Sequence, residues 1–472
     1  MKMSDFIVEF VTTCRGAFSR GAAFGWFVIV FVAFILRTDW LGVTSLIRAT
    51  CVHPRHYQNL LHFFHAESWS GEKLLPLCIT WVARLGLLVK IMGRVVFLGD
   101  DTKTPKEGRR MPNVKTMRQT SETSSKPSYF RGHEWGVIGV LIGIGRKFFC
   151  APAWASVSDT QNKAEAGSAG KQKKEDGRTA GIVRHASQLA HFLKVLAFLV
   201  LDAFFSVGPV FKAAAKSENV IVVTRAKKNY VAHTLATPPA RRGRGRPLKY
   251  ASAHKIIEFY ESEASYFEEV KAKIYGRMEN VLILSKILFW KPAGALVLFV
   301  LSQTSRGRIT LMCSDVSVSP VTVLELYCLR SLIEVMFDSL KNLIGVMKYR
   351  FWSAGLEPQT RRPAENTPDR HSDNPTATAK TLTAIMNFVH IGMATLVFLQ
   401  AFACKFGPAV TVEADCWLRT PTGQVPSELI SKIAAGNIIR RLLCDFRTNP
   451  ITTIIQARRK PPSPSEKMDD AA

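Results

Sequence analysis

Three carboxylates stand where divalent-metal chemistry needs them. Asp100 follows the apolar run Val95-Val96-Phe97-Leu98, Asp202 closes the apolar run Val195 to Leu201, and Glu334 lies in a stretch with helical spacing. Acids converging from separate elements can hold two divalent ions about 3.5–4 Å apart, one polarising the attacking oxygen of a phosphodiester and one the leaving oxygen. Magnesium takes hard oxygen ligands and keeps several waters, so two or three carboxylates suffice. A lone acid at a strand end is ordinarily a cap or turn residue. The argument therefore rests on all three in this order. At the first position Asp100 and Asp101 are both available.

The residues around Glu334 suit the same chemistry. At about 100° per residue, Tyr327, Arg330, Glu334, Lys341 and Lys348 fall within roughly 60° of one another on a helix. Leu329, Leu332, Met336, Leu340, Leu343 and Met347 gather on the opposite side. One face reads as core, the other as a strip of cations around one carboxylate. Arg330, Lys341 and Lys348 are candidates to hold phosphates, Arg as a fork and Lys as a point charge. The same strip also reads as a solvated face with Glu334 in spaced ion pairs.

The elements that must position these groups follow a recognisable order. Val95–Leu98, Trp135–Ile144 and Lys147–Trp154 read as strands, Ile182–Lys194 as a helix, Val195–Leu201 as a strand, Phe205–Ala215 as a helix and Val220–Val223 as a strand. The later part is a βαβ unit, whose parallel strands are buried on both faces and hence continuously apolar. Active groups in such sheets collect at the carboxyl ends of the strands. A polar helix over Ser252–Lys273 and short strands near 282–289, 295–302 and 308–313 follow, the last two joined as a hairpin through Gln303-Thr304-Ser305-Arg306-Gly307. One long helix from about Val323 to Tyr349 then carries the strip, weakened at Gly345.

Lys and Arg number 63 against 37 Asp and Glu, a net charge of +26. Such a field draws polyanions: nucleic acid, or an anionic membrane surface. The 9 cysteines are scattered, with no CxxC pair and no zinc-like cluster, which implies reduced thiols in a cytosolic compartment. The apolar run Gly21–Leu36 falls short of the ~20 residues that cross a bilayer. Leu382–Cys404 is long enough, but Asn387, His390 and Gln400 interrupt it, as in a buried core helix. Residues 102–131, 158–180, 237–249, 355–379 and the tail from Arg458 read as linkers or exposed loops. Arg244 and Arg246, spaced by glycines in Arg241–Pro247, have the form of a minor-groove arm, or equally of a solvated charge run. His133-Glu134 lacks a second His at helical spacing, so His133 reads as structural.

The spacing Tyr327-x2-Arg330-x3-Glu334-x6-Lys341 is identical to the Tyr-Arg-Glu-Lys (YREK) signature of a large group of bacterial insertion-sequence transposases with a DDE active site. The stretches LGDDTKTPKEG (98–108), RGHEWGVIGVLIG (131–143), VLDAFF (200–205), GRPLKY (245–250), ILFWKPAG (287–294) and KYRFWS (348–353) resemble the same group. The resemblance covers roughly residues 90–353; residues 39–70 are similar to the group's N-terminal region, and the first 38 take no part in it. It implies an α/β fold with a ribonuclease H-like catalytic core, a mixed sheet flanked by helices. It also implies a β-rich insertion before the last catalytic helix and a helical N-terminal region. Asp100, Asp202 and Glu334 would hold two Mg²⁺, with Mn²⁺ able to substitute. Tyr327, Arg330 and Lys341 would contact DNA phosphates beside the cleavage point. The group's pattern has a Thr two residues after its first acid, which Thr102 matches for Asp100.

On this reading residues 1–90 form a helical, DNA-binding region and 91–230 the first part of the core, including the mobile loop 158–180. Residues 231–318 form the basic loop and insertion, 319–353 the catalytic helix, 354–380 a Pro-rich loop, 381–457 a helical C-terminal region and 458–472 a disordered tail. The implied partners are double-stranded DNA, as terminal repeats and target, and a second copy on paired ends. Neither a small-molecule cofactor nor a membrane is expected. The implied location is the nucleoid in the cytoplasm.

Overall fold

The computed structural model of the chain describes residues 1–40, 42–118, 129–157, 177–236, 250–359, 374–417, 425–444 and 449–459. Most of 158–180, all of 237–249 with Arg244 and Arg246, most of 355–379 and the tail from 460 lie outside the described residues.

The apolar runs build the centre of a 13-stranded sheet. Its first strands are β1 (Lys90–Ile91), β2 (Arg94–Pro105), β3 (Lys115–Arg118), β4 (Tyr129–Ile144), β5 (Lys147–Val157), β6 (Ala197–Val200) and β7 (Val220–Arg225). β4 runs antiparallel to both β2 and β5, β6 parallel to β2, and β7 parallel to β6. The spatial order β5-β4-β2-β6-β7, with helices between the parallel strands, fits a ribonuclease H-like core. The sheet continues through β8 (Val231–Leu235), β9 (Tyr250–Lys255), β10 (Glu268–Ile274), β11 (Arg277–Trp290), β12 (Ala295–Thr304) and β13 (Gly307–Cys313). β13 joins the two parts by pairing antiparallel with β7, and β12, β11, β8 and β9 follow outward.

Three expectations fail here, each for a physical reason. The stretch 102–131, expected as a linker or exposed loop, completes β2, forms β3 and starts β4 among its described residues, because pairing with the long β4 draws it into the sheet. The polar helix expected over Ser252–Lys273 is instead β9, a short helix at Phe259–Ser262 and β10. β10 pairs with β11 along its whole length, from Glu268↔Ile283 to Ile274↔Arg277, and this buries Ala272 and Ile274 on one side. That long-range pairing overrides local polarity. The single long helix expected from Val323 to Tyr349 is broken. It consists of Pro320–Cys328, a tight turn at Leu329–Arg330, Ser331–Asp338, one wide π turn at Ser339–Ile344, and a 3₁₀ turn at Val346–Lys348. In the first break the Arg330 and Leu332 N–H groups bond back only three residues, at 3.1 and 3.0 Å. The second falls at Gly345, whose φ of 72° ends the run.

Helices cover both faces. In chain order they are α1 (Met3–Cys14), α2 (Gly21–Leu36), α3 (Val43–Thr50), α4 (Tyr57–His65), α5 (Gly71–Arg84), α6 (Arg178–Leu193), α7 (Gly208–Ala215), α8 (Phe259–Ser262), α9 (Pro320–Cys328), α10 (Ser331–Asp338), α11 (Pro375–Phe406), α12 (Pro408–Ala414), α13 (Glu428–Cys444) and α14 (Pro450–Gln456). α6 lies across β4, β6 and β7; α9 and α10 cross the other face, from β13 and β7 to β2 and β5.

α11 is the one helix among the described residues long and apolar enough to cross a membrane, and 83% of its most apolar window is buried inside the protein. It packs on β5, α2, α4, α5 and α13. The polar residues that interrupt it each find a backbone oxygen. Asn387 donates to Phe64 O (2.8 Å), the His390 ring pairs with Ala155 O (3.0 Å), and Gln400 donates to Cys150 O (3.1 Å). α2 is apolar all round because protein surrounds it; Phe27 to Phe34 are fully buried. The helical regions and the sheet share one apolar core.

Candidate active site

β2 outruns its parallel neighbour. Its pairing with β6 ends at Leu98↔Val200, but β4 is long enough to keep pairing as far as Pro105, with Asp100 opposite Val137. Asp100 therefore sits inside a strand rather than at its end, as the sequence had suggested. It still stands beyond the carboxyl end of β6, where parallel sheets open a crevice. The pleat separates the two neighbouring acids. A Cβ on Gly99 would meet Leu201 at 2.6 Å and Ile182 at 2.8 Å, so Gly99 faces α6 and any side chain there would push that helix off the strand. Alternation turns Asp100 to the opposite face, beneath α10, and Asp101 to the Gly99 side. Asp202 follows β6 by two residues. Its carboxylate accepts the Phe204 N–H at 2.8 Å, and its carbonyl accepts the Thr224 hydroxyl at 2.6 Å.

Arg330 joins the first acid to the last. One guanidinium nitrogen donates to Asp100 Oδ2 at 2.8 Å and another to Glu334 Oε1 at 2.9 Å. Arg330 and Asp100 are 17% and 15% exposed, whereas Glu334 is 62% exposed, so the strong member of the triad is the Arg330–Asp100 pair. Burial pushes the Asp100 carboxyl up to about 6; Arg330 and the Asp101 backbone N–H oppose this, while the charges of Asp202 and Asp101 add to it. Burial works to lower Arg330 too, but Asp100 and Glu334 outweigh it and hold the guanidinium above its ordinary value. Tyr327 is buried one turn away, its hydroxyl raised mainly by burial, within the field of Arg330, Arg225, Asp202 and Tyr275.

Lys341 reaches back to β2 and donates to the Thr102 hydroxyl (2.5 Å) and to Lys103 O (3.3 Å); burial lowers its ammonium below the usual lysine range. Lys348 does not share a helical face with Glu334, because the chain turns at Gly345. Instead it is exposed, with its ammonium 6.0 Å from the Trp40 ring centre. Lys341 and Lys348 line a cleft of about 1000 Å³, together with Lys103, Lys106, Arg109 and Arg350. The sequence reading missed the cations from the 103–110 stretch, although their signal was present in that segment's charge. Lys106 is buried, 3.4 Å from the Tyr349 ring centre, and burial lowers it to about 7, with Lys348 and Arg350 adding to the effect. His133 is structural: its ring pairs with the Tyr349 hydroxyl (2.6 Å) and with Pro112 O (2.7 Å).

The donors suit a hard divalent cation in kind, since all are carboxylate oxygens. Their arrangement is closed. Among the described residues no group of three or more His, Cys, Asp or Glu side chains is gathered closely enough to hold a metal, and the Arg330 cation lies between Asp100 and Glu334. A metal would have to displace it.

A family model described as DDE superfamily endonuclease matches residues 15–268, more than half of the chain. The match takes in Asp100 and Asp202, stops short of Tyr327–Lys341, and extends into the N-terminal stretch that the sequence resemblance had left out. No curated protein matches the chain.

Proposed function

The chain belongs to the DDE superfamily of endonucleases, and from that premise we propose that it is a transposase of the YREK insertion-sequence group, cutting and rejoining DNA at the ends of its element. The observation that carries this reading is the Arg330 bridge. It reaches Asp100 across 230 positions of sequence while also bonding Glu334, so the signature segment lies over the first acid of the sheet. Asp100, Asp202 and Glu334 would hold two Mg²⁺, with Mn²⁺ able to substitute, once Arg330 has moved aside; such ions would supply polarisation of the attacking and leaving oxygens of the phosphodiester.

The chain's own residues do the rest. Arg330, freed from the carboxylates, is a planar fork suited to a phosphate. Tyr327 offers a hydroxyl from a buried ring, and Lys341 is anchored on β2 as a point charge beside the cut. Lys348 and the other cations of the cleft extend a basic track for the DNA backbone. The segment β8–β13 is read as the insertion between the second acid and the last. Arg244 and Arg246 complete the proposed DNA-binding set. A homodimer on paired ends, at the nucleoid, completes the reading.

The closed triad favours one second reading, a copy that binds element ends but no longer cuts. One assay separates the two: cleavage of DNA carrying the element's own ends in Mg²⁺ or Mn²⁺, comparing wild type with Asp202→Asn and Glu334→Gln. Metal-dependent nicking at the boundary, lost in both variants, supports the active transposase. Binding without nicking by wild type supports the decayed copy.

A further inference from the structure

The segment carrying Glu334 and Lys341 stops at Gly345, and a helix that stops leaves its last carbonyls without partners. Here those oxygens are taken by cations from distant parts of the chain. Arg37, just past the end of α2, donates to Ile344 O at 2.5 Å. Lys432 of α13 donates to Leu343 O at 3.1 Å and to Arg37 O at 3.2 Å, so it grips both partners. Lys106, after β2, donates to Met347 O at 2.5 Å and Tyr349 O at 3.4 Å. Positive charge at a helix C-terminus is favourable, more so when partly buried.

Arg37 is held tightly in its own right. It is 2% exposed, its guanidinium lies 4.4 Å from the Phe34 ring centre, and it donates to the Ser45 hydroxyl at 3.2 Å. Gly345 leaves room for it: a Cβ there would come within 3.0 Å of Arg37 Nη2 and 2.6 Å of the Trp40 ring. Burial lowers Arg37 to about 10 and Lys432 to about 8, so holding both cations here costs desolvation that ordinary packing would avoid.

Neither Arg37 nor Lys432 is assigned any contact with the acids or with DNA. What they hold lies two to three residues beyond Lys341, and roughly two to three turns beyond the α10 residues Met336 and Glu334. Chemistry at a metal centre is sensitive to displacements of about 1 Å in the groups that hold it. We infer that Arg37 and Lys432 are positioning residues for strand cleavage, fixing the far end of the signature segment so that Glu334 and Lys341 stay over β2. This rests on the proposed transposase reading. It makes the two flanking helical regions part of the cleavage apparatus.

The test uses the full chain with Lys432→Met, Arg37→Met and Arg37→Lys. Three quantities are read: amide hydrogen exchange over 339–348, affinity for element-end DNA, and the single-turnover cleavage rate at saturating DNA. In both Met variants exchange in that segment should accelerate ~10-fold and the cleavage rate fall ~10-fold or more, with affinity within ~2-fold of wild type. Arg37→Lys, which keeps a donor, should recover most of the rate. Lys432 is only half-buried, so its variant tests the idea even if Arg37→Met does not fold. Faster exchange with an unchanged rate, or a lower yield of active protein with a normal rate constant, overturns the inference. A wild type that never cuts sinks the transposase reading instead, and unchanged exchange in Lys432→Met then overturns the grip independently.

Discussion

In β6 and β7 almost every side chain is buried, as it must be in parallel strands covered on both faces. In β10 and β11, strands of the same sheet, buried and exposed residues alternate over long stretches, and Leu282, Ile287 and Met278 are open to solvent. The two halves are continuous through the β7–β13 pairing, yet they are built for different work. The parallel half carries Asp202 just past the end of β6, and Asp100 stands beyond its edge on the β2–β4 ladder. The antiparallel half leaves a face free, and its hairpin turn at Tyr275 reaches the neighbourhood of Tyr327. Burial is concentrated where the acids start, and accessibility in the antiparallel half.

Breaking the chemistry without touching the packing should give the largest effect. Glu334→Gln removes a carboxylate that is 62% exposed, so the melting temperature should hold while the single-turnover cleavage rate drops ~1000-fold, about 4 kcal/mol of barrier. A variant cutting at near wild-type rate would remove Glu334 from the active site. Next comes the packing of the parallel half. Leu199→Ala, at a fully buried position, should lose about 3 kcal/mol in urea unfolding, whereas Leu282→Ala, 38% exposed in β11, should lose less than ~1. Equal losses would erase the distinction between the halves.

Acid should then sharpen the contrast. Burial holds His133 neutral, down to about 3, while an unfolded chain's histidine takes up its proton near 6.5. Its contribution is complete above pH 6.5 and is lost as pH falls from there toward 3, by about 1 kcal/mol per pH unit. His390 is lowered in the same direction, so the decisive reading is the slope of wild type minus that of His133→Gln. Parallel slopes would mean that His133 is not the group being titrated. The smallest effect belongs to Ile287→Thr, 51% exposed in β11, where stability should stay within ~0.5 kcal/mol. A loss of several kcal/mol would mean that the face is covered by something in solution.

The same division explains what could be read from the residues. The strands β2, β4, β5, β6 and β7 and helices α6 and α7 were legible because burial on both faces writes itself as unbroken apolar runs and helical stripes. So were β11 to β13, through their hairpin. Glu268–Ile274 was not, since its strand character comes from β11, in register, rather than from its own polar residues. Of the site, the spacing of Tyr327, Arg330, Glu334 and Lys341 marked the right segment. The turn at Arg330 and the wide turn after Asp338 left no periodic trace. Nothing local to Glu334 announces that Arg37 and Lys432, from opposite ends of the chain, hold the segment's end.

His390 and Gln400 of α11 occupy the outward carbonyls of β5, at Ala155 and Cys150. A strand whose free acceptors are already used is a poor template for another strand. Strand addition along β5 is therefore blocked at those two positions, and any growth of this sheet would have to begin at another edge, such as β9.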